Sequence, residues 1–256
     1  MATLAGRPLG QATDNRFFVR AALLMVVVVI AGFSVQLAAG RSSFDAPPLV
    51  HAHALVFMGW LALYGAQAAT AATGRRDWHR RVGWIAPWWM VAMVVLGCLV
   101  TLALVRRGGV PFFFTPLQFL IFDPVSLLTF AGLTGAAIVW RRQTDWHRRL
   151  HLCGMAVLLG PGLGRLLPMP LLAPYAWEAT VAVSLLFPLA GAVADLRRTG
   201  KVHPAWHWGV GTILAATLLT ELLTYSPAGT AIYAAVTAGS PGAAVAPLAF
   251  PPPPGG

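Results

Sequence analysis

Acidic side chains are scarce in this sequence, eight in 256 residues, and charged residues of both signs make up only 10%. Soluble domains average about a quarter charged residues, so a chain that is 57% hydrophobic with a mean hydropathy of +0.70 is not a water-soluble globular protein. Cysteine is nearly absent too. Cys98 and Cys153 both fall inside apolar runs, and no CxxC or zinc-ligand spacing occurs. That excludes a disulfide framework or a zinc module, and a lone buried cysteine packs as a small hydrophobe. The last long apolar run, 206–225, has no lysine, which excludes a retinal Schiff base of the microbial-rhodopsin kind. No P-loop or other highly specific catalytic motif is present, and no catalytic residue is assigned.

What the chain does have is apolar length. A bilayer-spanning helix needs about 20 mostly apolar residues, and seven runs qualify, at 17–39, 49–72, 83–105, 117–140, 150–169, 175–194 and 206–225. The expected fold is therefore all-α, a polytopic membrane protein of about seven transmembrane helices: a lead helix and three hairpins. The domain plan is a segment 1–16, a membrane domain 17–225 and a tail 226–256 rich in Ala, Pro and Gly. The tail is expected to be extended or disordered unless a partner holds it. The first run could serve as a signal peptide with "QLAAG" as its cleavage site, but the topology stays regular only if it is an uncleaved anchor.

The formal net charge of +10 could suggest a nucleic-acid partner, but the positions of the bases argue otherwise. Arg16 and Arg20 precede the first run; Arg75, Arg76, Arg80 and Arg81 lie between runs two and three; Arg141, Arg142, Arg148 and Arg149 between four and five; Arg197, Arg198 and Lys201 between six and seven. The other connections hold only Arg41, Arg106 and Arg107. This alternation follows the positive-inside rule. It implies a multi-pass membrane protein with its N-terminus in the cytoplasm, its C-terminus outside (the periplasm, in a bacterial inner membrane), and anionic lipid headgroups as partners.

The word Asp-Trp-His-Arg-Arg occurs twice, at 77–81 and 145–149, each time between a span entering the cytoplasm and one leaving it. A degenerate third copy, "DLRRTGKVHPAWHWG", joins the last two spans. Asp can cap a helix, Trp sits at the headgroups and Arg snorkels to phosphates. The histidine alone has no such role. His79, His147, His151, His203 and His207 therefore form a cytoplasmic constellation that could ligate haem axially, and His147 and His151, at i and i+4, could share one metal ion.

A second constellation is expected in the outer half. On span two, His53, Trp60, Tyr64 and Gln67 lie on one helix face, with His51 about 200° round the helix from His53. Arg165 follows "GPGLG" in span five, where freed backbone must be satisfied by protein or line a polar cavity. Glu221 sits on a polar face of span seven. An outer pocket of His53, Arg165 and Glu221 with Asp123 and Glu178 at its mouth is expected, Arg165 pairing with Glu221. Asp123 before Pro124 also has the form of a helix N-cap, and Glu178 that of a first-turn acid.

The stretches "HAHALVFMGWLALYGAQ", "WHRRVGW", "WHRRLHLCGMAVLLGPGLGR" and "DLRRTGKVHPAWHWG" resemble a family of uncharacterised bacterial multi-pass membrane proteins, over roughly residues 16–225. The resemblance marks His51, His53, Trp60, Gln67, His79, His147, Arg165, Asp195, His203 and Pro204, and departs at His151 and Gly162. More distantly, the histidine loops look like proteins of haem–copper oxidase assembly and b-type cytochromes. The expectation is a haem- or metal-handling protein of a respiratory or redox membrane system. The alternatives are a non-catalytic accessory subunit packed against other subunits of a membrane complex, and a small-molecule or ion permease built on the broken span five.

Overall fold

Proline and capping side chains divide the apolar chain into rods. The computed structural model describes residues 9–41 and 44–252. In order come α1 (Leu9–Ala38), α2 (Pro48–Ala72), α3 (Arg76–Gly83), α4 (Ala86–Arg106), α5 (Pro116–Val139), α6 (Thr144–Val157), α7 (Gly160–Leu166), α8 (Met169–Leu172), α9 (Ala176–Thr199), α10 (Pro204–Thr224) and α11 (Pro227–Thr237). No strand occurs among the described residues, and the protein is an all-α, polytopic membrane protein. Helices α2, α5, α10 and α11 start on a proline, whose missing N–H costs nothing at a first helical position. Thr115 and Ser226 cap α5 and α11 by accepting from the backbone N–H of Gln118 and Gly229. Gly200, at φ 72°, ends α9 in the left-handed conformation that glycine adopts without steric cost.

Five segments are each long and apolar enough to cross a membrane: Arg16–Ala38, Pro48–Ala72, Arg76–Arg106, Pro116–Val139 and Ala176–Thr199. Helices α10 and α11, meeting at a 75° bend, make a sixth when counted together. The expected continuous span at 150–169 is replaced by α6 and α7, of 14 and 7 residues, broken at Leu158 and Leu159. Neither piece reaches the ~20 residues that a spanning helix needs. Helix α5 packs against α4, α6 and α10. Phe130, Trp60, Leu150 and Trp206 are among the buried residues of the main core.

The break in the fifth rod serves packing. A Cβ added at Gly32 would lie 2.3 Å from the Gly162 carbonyl oxygen, and one added at Gly162 would lie 2.8 Å from Val29 Cα. Helix α1 thus crosses α7 backbone to backbone, the close approach that small residues permit inside a membrane. Gly162→Ala should therefore lower the thermal stability of the detergent-solubilised protein, by about 1–3 kcal/mol for overpacking against fixed backbone. Gly164→Ala is the control, because its Cβ would meet only Met169 Cε at 3.8 Å. Equal unfolding temperatures for the two variants would refute the crossing.

Two further expectations need correction. The tail is ordered through residue 252 and folds back on its own chain; residues 253–256, like 1–8 of the N-terminal segment, lie outside the described residues. Tyr233 of α11 is buried and donates to the Gly242 carbonyl at 3.0 Å, Arg106 donates to the Val236 carbonyl, and the Leu117 N–H donates to the Pro247 carbonyl at 2.9 Å. Capped by Ser226 and anchored by Tyr233, the segment covers the ends of α4 and α5. Asp123 is not an N-cap. It lies inside α5, with Pro124 also inside the helix, and accepts from the Thr101 hydroxyl. Thr115, eight residues earlier, begins the helix instead.

Candidate functional site

The repeated word is resolved at the end of the bundle that gathers the α2–α3, α5–α6 and α9–α10 connections. In both copies the histidine turns back onto the helix before it. His79 Nδ1 meets the Gln67 carbonyl of α2 at 3.2 Å, and His147 Nδ1 meets the Ala137 carbonyl of α5 at 2.8 Å. A carbonyl oxygen only accepts, so in each ring Nδ1 carries the hydrogen, and Nε2 is the nitrogen whose lone pair a neutral ring would present. Gln67 completes the first contact by donating Nε2 to the His79 carbonyl at 3.1 Å. The two rings lie edge to face, with centres 6.2 Å apart and planes at 84°. One turn along α6, the His151 ring centre lies 4.9 Å from that of His147.

These rings line a cavity of about 1740 Å³. It opens because α2 packs on α1, α3 and α4, while α6 packs on α5, α9, α10 and α1, leaving a gap between them. Trp60, Tyr64 and Gln67 of α2 form one wall, and His147 and His151 of α6 the other. Trp60 is 2% exposed and its Nε1 has no hydrogen-bond partner. Gln67 Oε1 is likewise buried without a partner, and the Tyr64 hydroxyl meets only the Met25 sulfur, at 3.9 Å. Arg76, Arg142 and Lys201 stand at the mouth.

Behind the second copy lies an ion-pair network that the sequence reading missed. Arg149 and Asp195 are each 3% exposed. Arg149 Nε donates to Asp195 Oδ2 at 2.8 Å and Nη2 to Oδ1 at 2.7 Å, a bidentate pair. Trp206 Nε1 donates to the same Oδ2 at 2.8 Å, Arg198 donates to Oδ1, and Arg149 Nη1 donates to the Asp145 carbonyl at 3.0 Å. Phe18 of α1 stacks on Trp206 and lies under the Arg148 and Arg149 guanidinium groups. The matching residues of the first copy stay on the surface: Asp77 and Arg80 pair at 3.1 Å while about four-fifths exposed, and Arg81, the counterpart of Arg149, is exposed. Identical words therefore do different work. The one legible signal was the acid of the third copy, Asp195, a charge late in an apolar helix.

The remaining histidines separate. His203 lines the cavity but caps α10, its Nδ1 accepting from Ala205 N–H at 3.1 Å. Burial first, and then the Arg149 charge, hold its imidazole below the usual histidine range, against the pull of Asp145 and Asp195. His207 is exposed and is not among the cavity-lining residues. Among the described residues no three His, Cys, Asp or Glu side chains converge as a metal-ion site.

The expected outer pocket divides as well. Trp60, Tyr64 and Gln67 belong to the histidine cavity, whereas His53 stacks on Phe57 with ring centres 4.1 Å apart and leaves Nδ1 buried without a partner. His51 is half-buried and makes no side-chain hydrogen bond to a described residue. Arg165 donates to the Pro161 carbonyl at 2.7 Å and lies 4.0 Å over the Phe33 ring; its charge acts on His53. Glu221 instead lies beside Gln118 and Glu178, and Glu221 Oε1 and Glu178 Oε2 are each buried without a hydrogen-bond partner among the described residues. The expected Arg165–Glu221 ion pair is absent among the described residues: the α1–α7 crossing turns Arg165 towards α1, where it lies over Phe33. Comparison with protein-family models, curated proteins and solved structures finds no match to this chain.

Proposed function

We propose that the protein binds and handles haem through His79 and His147, as part of a respiratory or redox membrane system. The carrying observation is the spacing of the His79–His147 pair. A metal–imidazole nitrogen bond is about 2 Å and the ring centre lies a further ~1 Å behind the nitrogen, so two imidazoles on opposite sides of one metal stand roughly 6 Å apart. The 6.2 Å between His79 and His147 fits that spacing. Each Nδ1–H is fixed on a backbone carbonyl, which holds the ring and raises the basicity of Nε2, as the outer partners of metal-bound histidines do. Haem would bring its own ring nitrogens to the iron, so His79 and His147 alone would suffice to hold it. The absence of a third converging ligand among the described residues therefore counts against a bare metal ion and not against haem. Leu63, Trp84 and Ile138, also on the cavity lining, offer apolar surface for a flat ring, and the arginines at the mouth suit its carboxylates. Haem bound here would supply one-electron chemistry; the chain's part is to hold, orient and shelter it.

The permease alternative drew on the broken span five, which here packs on α1, and the accessory-subunit alternative drew on the outer helices and on a tail that here packs on its own chain. The test is the optical spectrum of protein purified from haem-replete cells. A low-spin, six-coordinate spectrum at about one haem per chain is expected; colourless protein that takes up no added haemin would overturn the proposal.

The same proposal places the arginine-rich end in the cytoplasm of a bacterial inner membrane, against anionic lipid headgroups, and the C-terminus in the periplasm. In a background lacking Cys98 and Cys153, Thr73→Cys should resist an impermeant thiol reagent in intact cells, and Ser240→Cys should react. The opposite labelling would invert the orientation.

A further inference from the structure

We infer that the deep end of the cavity, around His151 and Trp60, is a second site, one that takes an uncharged ring-bearing oxygen compound of the quinone or quinol class. The inference rests on the haem reading for what occupies the space between His79 and His147. The cavity's volume of about 1740 Å³ exceeds the ~300–1,000 Å³ typical of a pocket for one small ligand. A ligand on the His79–His147 pair therefore leaves room beside His151. That residue lines the cavity, and its ring nitrogens bond no described residue. Trp60, a cavity-lining residue 2% exposed, carries an Nε1–H donor with no partner. An unmatched buried donor is costly, about 1–3 kcal/mol, and a ligand acceptor atom is one way to satisfy it.

The chemistry of the surroundings narrows the class. Arg149 and Asp195, the buried charges on the cavity lining, are bound to each other in a bidentate pair, so beside His151 the wall presents imidazole, indole and amide groups. A neutral imidazole both donates and accepts, an indole N–H donates, and Gln67 Oε1 accepts. That set matches carbonyl or hydroxyl oxygens on a ring rather than a phosphate or carboxylate. The aromatic faces of Trp60 and Tyr64, and the alanine side chains of Ala22, Ala68 and Ala71, suit a flat apolar body. A membrane-dissolved ring compound has all of these properties.

The experiment uses the full-length protein in detergent micelles, titrated by calorimetry with a short-chain benzoquinone and with its quinol. Saturable binding of one molecule per chain is expected. Trp60→Phe, which keeps the ring packed on Phe130, and His151→Phe should each weaken it about tenfold, the loss of one hydrogen bond. His207→Ala should leave it unchanged. No saturable binding, or binding that neither Trp60→Phe nor His151→Phe alters, would overturn the inference. The arms separate it from the haem reading. Haem-free wild-type protein that binds quinone with this mutational pattern would sink the haem proposal and sustain the second site. Haem-loaded protein that binds no quinone would do the reverse.

Discussion

Asp195→Ala is expected to cost about 3–5 kcal/mol of stability, the loss typical of deleting one partner of a buried ion pair. Whole-protein stabilities are only about 5–15 kcal/mol, so the variant should express poorly and unfold far below the wild-type temperature in detergent. The size follows from what is left behind. Arg149 would keep its charge at 3% exposure with two of its donors emptied, and Trp206 Nε1 would lose its acceptor. Arg149→Met combined with Asp195→Leu should recover part of the loss, because an apolar pair of similar volume removes both charges together. Asp77→Ala, the equivalent change in the exposed first copy of the word, should leave the unfolding temperature where it was. Additive losses in the double variant would mean that Arg149 and Asp195 do not stabilise each other.

Haem occupancy gives the second large effect. On the haem proposal, His79→Gly or His147→Gly should reduce bound haem to near zero, since each would remove a residue that holds it, while His207→Ala should retain it. The Nδ1 contacts of both rings also tie α3 to α2 and α6 to α5, so a loss of haem could follow from disturbed packing alone. Two readouts separate these causes. Free imidazole added to His79→Gly should restore the six-coordinate spectrum without repairing the chain, and His79→Met should keep haem with a spectrum changed by the sulfur ligand. Wild-type spectra in His79→Gly, with no added imidazole, would exclude His79 as a ligand.

The apolar runs, the three hairpins and the pooling of arginines at one end were legible because they are properties of segments. The depth of a residue and its partner across the bundle are not. Trp60, Tyr64 and Gln67 do share a face with His53, but 14 residues of helix span about 21 Å. One stripe therefore serves two ends of the bundle. The i, i+4 spacing of His147 and His151 pointed to a local metal site, whereas the closest match to a ligand pair joins His79 and His147, 68 residues apart. Repetition of the word concealed the difference between Arg81 and Arg149, because a buried acid in a distant helix, Asp195, decides which arginine is buried. The tail misled through composition: its Ala, Pro and Gly content resembles an unfolded segment, and the single side chain of Tyr233 with its two carbonyl acceptors anchors it.

The glycine crossing of α1 and α7 also has a consequence for time. Gly162 is 130 residues beyond Gly32 in the chain (162 − 32). At about 5–20 residues per second, a ribosome needs on the order of 10 s to make that length. For that interval the first helix sits in the bilayer with its close-packing surface against lipid and only α2 beside it, and Phe18 waits longer still for Trp206. A substitution that lets Gly32 find another small-residue helix in those seconds would act on assembly before it could act on the finished protein.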